Sequence, residues 1–296
     1  MLILNVNGPI NSGKTTVSKI LVNLLPNATF IEVDELMSDE EEAKLGLSMQ
    51  DGWAERQKRL NETLLALKKS RQYETVIFSY PISENSYKTW SSMADENTRF
   101  MNITLAPSLE ECLKNRGTRE LDDWERNRIK EMYEEGYQNR PYSDFIINND
   151  NQTPEETAEI IKSFIEHALS SKQQWLHLVE RRWPALVNGE KTSTLRFNEG
   201  FVHKGFLVYK DCPKEQWTEV VYVTRVYYVP LRQALEIDGF DEHTPDIETG
   251  LRQMRAFYPN ITLETPLLLA QHLGAPETKQ KYPQEVAKIL KELNEV

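Results

Sequence analysis

The chain has 296 residues and a formal net charge of −11, with 39% hydrophobic and 27% charged residues, so two domains, each with its own core, are expected. No apolar run approaches the ~20 residues of a membrane helix, and MLILNV is too short for a signal-peptide core, so a membrane partner is excluded. Residues 1–170 hold 19 basic and 29 acidic side chains and residues 171–296 hold 16 and 17, which excludes a polycation that grips duplex DNA. Only Cys112 and Cys212 occur, without a C-x-x-C pair, which fits a reducing, cytoplasmic setting with neither a disulfide framework nor a cysteine zinc site.

In chain order, LILNVN, ATFIEV, ETVIFSY, RFMNITLA and SDFIINN read as short buried strands. Helical patterns separate or follow them near residues 14–25, 53–70, 107–137 and 153–169. The alternation predicts an α/β domain, a mostly parallel sheet with helices on both faces, over residues 1–170. TPEETAEIIKSFIEHAL starts with a Thr cap and a first-turn Pro, so this helix closes the domain. The run SDEEE at 38–42 reads as a solvated helix start.

GPINSGKTT, residues 8–16, joins the first strand to the first helix. Gly8, Gly13, Lys14 and Thr15 fit G-x-x-x-x-G-K-[ST], in which a glycine-permitted turn aims successive backbone N–H groups at phosphate. The helix that follows adds its positive end. The binding set is Gly8, Asn11, Ser12, Gly13, Lys14, Thr15 and Thr16; Lys14 reaches the outer phosphates and Thr15 ligates Mg²⁺. The second strand ends at Asp34, where the crevice of a parallel sheet opens, so Asp34 is placed to take a proton from an attacking hydroxyl or to hold Mg²⁺. Its plainer reading is a helix N-cap. In CLKNRGTRELDDWERNR, Arg116 and Arg119 flank Gly117, so both can fold over the nucleotide as a lid, whereas Arg126 and Arg128 pair with the acids Glu120, Asp122, Asp123 and Glu125. Trp53 and Arg56 are candidates to stack and clamp the acceptor, although a Trp on such a helix is more often core.

These residues, with DFIINNDNQTPEETAEII, resemble the small-molecule P-loop kinases that include shikimate kinase, gluconate kinase, chloramphenicol phosphotransferase and zeta toxins, over roughly residues 1–169. The resemblance implies a P-loop NTPase-type sheet, ATP and Mg²⁺, an Asp34 base or substrate anchor, and adenine held between the lid and the turn at Asn148 to Gln152. Ser79 in VIFSYP departs from the pattern, standing where many P-loop NTPases carry an aspartate. That favours a kinase over a motor or switch ATPase.

From residue 171 the signals change. TSTLRF, GFLVYK, TEVVYVTRVYYV and TLETPLLLAQHL read as strands, interrupted by helical patterns near 230–237 and 247–257 and followed by an amphipathic helix, PQEVAKILKELNEV. A small α+β, barrel-like second domain over residues 171–296 is expected. Alternation puts Thr192, Thr194 and Arg196 on one face; Lys191 approaches Thr194 only if it belongs to the preceding turn, and a plain hairpin explains the same residues. GEKTSTLR resembles the G-x-K-x-x-T-x-R signature of ASCH domains, small PUA-like β-barrels linked to RNA and modified nucleosides, with the match covering about 175–273. The resemblance implies a nucleoside or single-stranded RNA partner and, as in members that hydrolyse N4-acetylcytidine, a catalytic set of Lys191, Thr194 and an acid, for which Glu242 is the nearest candidate. Phe206 stands where members often have Asp.

The leading expectation is an ATP-dependent kinase for a hydroxyl of a small molecule, nucleoside or RNA end, with the second domain binding the base. The alternatives are an N4-acetylcytidine-type amidohydrolase with an accessory P-loop domain and a nucleotide-gated RNA-binding module.

Overall fold

The computed structural model describes residues 1–115, 120–170, 172–212, 217–241 and 243–294. The chain divides into two compact units, Met1–Lys162 and Ser163–Val296, with the division inside the helix Pro154–Leu169 and not after it. Thr153 caps that helix: its Oγ1 accepts from the N–H of Glu156, whose carboxylate accepts the Thr153 N–H.

The first unit is built on five parallel strands, β1 (Leu2–Asn7), β2 (Ala28–Ile31), β3 (Thr75–Ser79), β4 (Arg99–Leu105) and β5 (Phe145–Ile147), in the order β2-β3-β1-β4-β5. Central strand β1 is buried along its whole length, as a strand covered on both faces must be. Ile3, Val76 and Phe78 pack with Leu60 and Leu64 of the helix Met49–Ser70 and with Trp90. Two buried amides interrupt this apolar strand. Asn5 accepts the N–H of Tyr80 and donates to Asn102; Asn7 accepts the N–H of Ile82 and donates to Thr104. Left unpaired, each would cost about 1–3 kcal/mol; paired, they pin the segment that leaves β3.

Two expectations are corrected here. The pattern over 107–137 is not one helix but two, Leu109–Cys112 and Asp123–Glu134, because Asp122 and Glu125 form a capping box that starts a new helix. SDEEE does cap a helix, Asp39–Leu45, through Ser38, but its acids are not merely solvated: Glu41 pairs with Arg59 and Glu42 with Arg56, each at 2.6 Å.

The second unit carries β6 (Gln174–Val179), β7 (Ser193–Arg196), β8 (Gly205–Cys212), β9 (Thr218–Pro230) and β10 (Pro266–His272). The pairing order is β6-β8-β9-β10-β7, with β6–β8 parallel and the rest antiparallel. β6 was not expected from the sequence. The two end strands approach each other, since Arg196 Nη2 on β7 donates to the His177 carbonyl on β6 at 2.8 Å. Helices Trp183–Asn188, Leu231–Asp238, Ile247–Arg255, Ala275–Lys281 and Pro283–Asn294 complete the unit. No helix among the described residues is long and apolar enough to cross a membrane.

Candidate active site

The loop after β1 has a backbone that only glycine adopts at its two ends. Gly8 has φ +148° and Gly13 φ +92°, and a Cβ on Gly8 would lie 2.6 Å from both the Leu105 carbonyl and Ser12 Oγ. Between them Asn11 takes φ +63°, and its amide donates to the carbonyls of Cys112 and Lys114 at 2.8 and 2.9 Å. Helix Lys14–Leu24 starts directly after Gly13 with no side-chain cap, so its first N–H groups keep their capacity for an anion. Lys14 Nζ lies over the loop, 2.6 Å from the Pro9 carbonyl. Ser12 Oγ is buried without a hydrogen-bond partner. A glycine-only cradle, an orphaned hydroxyl and a lysine folded over the loop together fit a bound phosphate chain. Thr15 is half-buried and Thr16 exposed on the first turn.

The surrounding elements face the same loop. Ser79, paired in register with Val6 of β1, bonds Ser18 one turn beyond Thr15, Oγ to Oγ at 2.9 Å. The turn after β5 is tied to the loop by Asn149, whose Nδ2 donates to the Ser12 carbonyl at 3.2 Å while its Oδ1 is buried without a partner. That turn is shaped by Asn148 Oδ1 accepting the N–H of Asp150 and by Asp150 accepting the N–H of Ser108. Ser18 does not stand out in the sequence, because it acts through one long-range contact, and Asn149 was placed only within the turn at Asn148 to Gln152, without its tie to the loop.

Asp34 lies in the short 3₁₀ turn Val33–Leu36 after β2 and is exposed; the cap position belongs to Glu32, so Asp34 is not the N-cap. Helix Met49–Ser70 holds that turn, since Arg59 donates to the Leu36 carbonyl and the buried Arg56 to Met37 and Glu42. Arg56 is thus engaged inside the fold rather than open to an acceptor. Trp53 stays 41% exposed, which corrects its core reading, and meets Tyr80 edge-on at 6.3 Å. Arg126 binds the Leu113 carbonyl and Asn115, and Arg128 binds Glu131 and Glu135, so both are structural, though with partners other than the expected acids. Arg116 and Arg119 lie outside the described residues, as does Glu242 in the second unit.

The second unit gathers a separate polar cluster. Lys191 sits in the turn before β7, its N–H on the Ala185 carbonyl and its Nζ on the Ser193 carbonyl, 5.8 Å from the Tyr209 ring. Burial, reinforced by the charges of Arg196 and Arg182 and opposed by Asp238, lowers its ammonium to about 7. Asp238 also bonds the Ser193 hydroxyl, and burial raises its carboxyl. Thr194 is buried and bonds Tyr209, whose phenol burial pushes up to about 12. Tyr209 in turn meets His272 Nε2 at 3.3 Å. Burial lowers His272 to about 4, so the ring is neutral at pH 7; its Nδ1–H donates to the Leu273 carbonyl, leaving Nε2 to accept. Tyr209, His272 and Asp238 come from distant segments, and no sequence pattern marks them. Phe206 packs on Tyr222 and Tyr282.

The first unit is thus a mostly parallel α/β sheet with a glycine-bounded loop between β1 and the first helix. No family model matches the chain, and no curated protein matches it. Among solved structures it is similar to an unliganded sugar kinase from Janibacter sp. HTCC2649, at 16% identity and TM-score 0.41, covering 56% of this chain and 94% of that one. It is also similar to shikimate kinase from Acinetobacter baumannii in complex with shikimate, at 19% identity and TM-score 0.40, covering 57% and 94%. A third is the Mycobacterium tuberculosis APS kinase in complex with AMPPNP and APS, at 19% identity and TM-score 0.38, covering 55% and 96%. The likeness lies over the amino-terminal part.

Proposed function

We propose that the chain is an ATP-dependent phosphotransferase acting on a hydroxyl of a small molecule, nucleoside or RNA end. The observation that carries the reading is the loop itself: a backbone open only to glycine at Gly8 and Gly13, with Lys14 folded over it and a helix amino terminus behind it. Thr15 is the residue to hold Mg²⁺, which when bound neutralises phosphate charge. Lys14 exchanges the Pro9 carbonyl for phosphate oxygens and offsets the charge that grows on the departing diphosphate. Asp34 takes the proton of the acceptor hydroxyl as its oxygen bonds the terminal phosphorus and the bond to the bridging oxygen breaks. Arg116 and Arg119 supply further cations as a lid, and the turn at Asn148 to Gln152, tied to the loop by Asn149, borders the adenine. Exposed Trp53, on the helix that holds the Asp34 turn, favours an acceptor with a flat ring.

A second reading concerns the second unit, taken as an ASCH-like, PUA-like β-barrel that binds a nucleoside or RNA. What favours a chemical role there is a lysine brought to about 7 and close in chain to a buried threonine hydroxyl. Lys191 would activate Thr194 toward an amide of the N4-acetylcytidine type. The kinase reading is tested by incubating the chain with ATP, Mg²⁺ and a panel of hydroxylated acceptors and seeking phosphorylated product. The second reading is tested by acetate release from N4-acetylcytidine.

A further inference from the structure

One position of the phosphate loop uses left-handed backbone without being glycine. Asn11 takes φ +63°, a conformation that residues with a Cβ adopt rarely and asparagine more readily than most. An amide nitrogen has two hydrogens to donate, and those of Asn11 are spent away from the loop, on the carbonyls of Cys112 at 2.8 Å and Lys114 at 2.9 Å. The side chain therefore has no donor left for phosphate. A backbone outlier in such a loop persists only where its surroundings fix it, and here they do so through those two bonds.

The segment they hold has little of its own to stand on. Leu109–Cys112 is a single helical turn, too short to be stable alone, and the last carbonyls of any helix lack partners within it. Asn11 takes two of the three carbonyls from Cys112 to Lys114, and Arg126 of the helix Asp123–Glu134 takes the third, that of Leu113, at 2.8 Å. Arg126 also donates to Asn115 Oδ1 at 3.0 Å, and that oxygen accepts the Leu121 N–H at 3.1 Å, so the chain is drawn into a neck at Asn115 and Leu121. The residue before Asn11 docks as well: Ile10 packs against the buried cluster of Cys112, Leu121 and Ile129. Polar and apolar contacts from two successive loop residues thus fasten the phosphate loop to the neck.

We infer that Asn11 is a positioning residue that joins the neck to the phosphate loop as one cooperative element, so that phosphate bound in the loop also stabilises the neck. The inference rests on the phosphate-binding reading of the loop. Opening the neck then requires opening the loop, and a ligand at about ten times its Kd slows that opening about tenfold. The test follows hydrogen exchange in the full chain with and without Mg²⁺ and inorganic tripolyphosphate, each protein kept at about ten times its own Kd from calorimetry. In the wild type, the amides of Cys112, Leu113 and Lys114, which bond the Ser108, Leu109 and Glu111 carbonyls, exchange about tenfold more slowly on binding. Asn11→Gly accepts φ +63° without strain and lacks the two bonds, and Asn11→Asp keeps the shape but donates nothing. In both variants the ligand slows exchange in the loop and not in the neck. A merely structural role would speed exchange in the neck without ligand yet leave the ligand's slowing in place. That result, or wild-type binding with no slowing at the neck, overturns the inference and leaves the phosphate loop standing. Variants that no longer bind tripolyphosphate make Asn11 a phosphate ligand and overturn it too, and no binding by the wild type removes the phosphate-loop reading and the inference together.

Discussion

Replacing Lys191 by methionine should change how the stability of the second unit depends on pH. An ordinary lysine titrates near 10.5, and burial, with Arg196 and Arg182 nearby, brings Lys191 to about 7. Below pH 7 the folded and the unfolded chain both carry the proton, and folding must desolvate the charge. Between about 7 and 10.5 the unfolded chain binds the proton and the folded chain does not, so stability rises with pH across that window. At about 1.4 kcal/mol per pH unit the full rise approaches 5 kcal/mol. Because Lys191 keeps part of its surface, roughly 2–5 kcal/mol is the expected range. Lys191→Met keeps the stem and removes the charge. Urea unfolding at steps from pH 6 to pH 10 should show the variant's advantage greatest at the acid end and shrinking by that amount toward the alkaline end. Wild-type and variant curves that run parallel would refute the buried, neutralised lysine.

Gly8→Ala forces a side chain into φ +148° with its Cβ 2.6 Å from the Leu105 carbonyl; a loss of about 3 kcal/mol should lower the first unit's calorimetric transition by roughly 6–12 °C, and an unchanged transition contradicts the cradle. Asp34→Asn should reduce turnover about 10²-fold while ATP affinity stays nearly constant, as loss of a base does; an equal loss of ATP affinity in steady-state kinetics would make Asp34 a metal or nucleotide ligand instead. Arg116→Ala and Arg119→Ala should each lower kcat more than nucleotide affinity, and wild-type kinetics in both would remove them from the lid.

The phosphate loop was legible because its residues are contiguous and each is chosen by backbone geometry: Gly8 and Gly13 occupy conformations that other residues avoid. The parallel sheet was legible from apolar runs separated by helical periods. β6 was not, because Gln174–Val179 alternates Leu176 and Leu178 with Trp175 and His177 directly after a polar stretch, and so resembles the end of a linker. Parity put Thr194 on the polar face of its strand and left Lys191 to approach only from the turn; pairing the two came from the resemblance of GEKTSTLR. What faces them was not, since Tyr209, Asp238 and His272 arrive from three other elements whose own patterns read only as core strand or helix. The same holds for Asn5 and Asn7, polar residues in an apolar run whose use appears only once Tyr80 and Ile82 are placed beside them.

The most direct measurement is mass spectrometry of acceptors after incubation with ATP and Mg²⁺, comparing the wild-type chain with Lys14→Ala. The wild type should add one phosphoryl group to a hydroxylated acceptor, and the folded variant should add none, because the charge on the departing diphosphate is then left without Lys14. Equal phosphorylated product from the two proteins, or none from the wild type across small alcohols, sugars, nucleosides and RNA ends, would contradict the phosphotransferase reading.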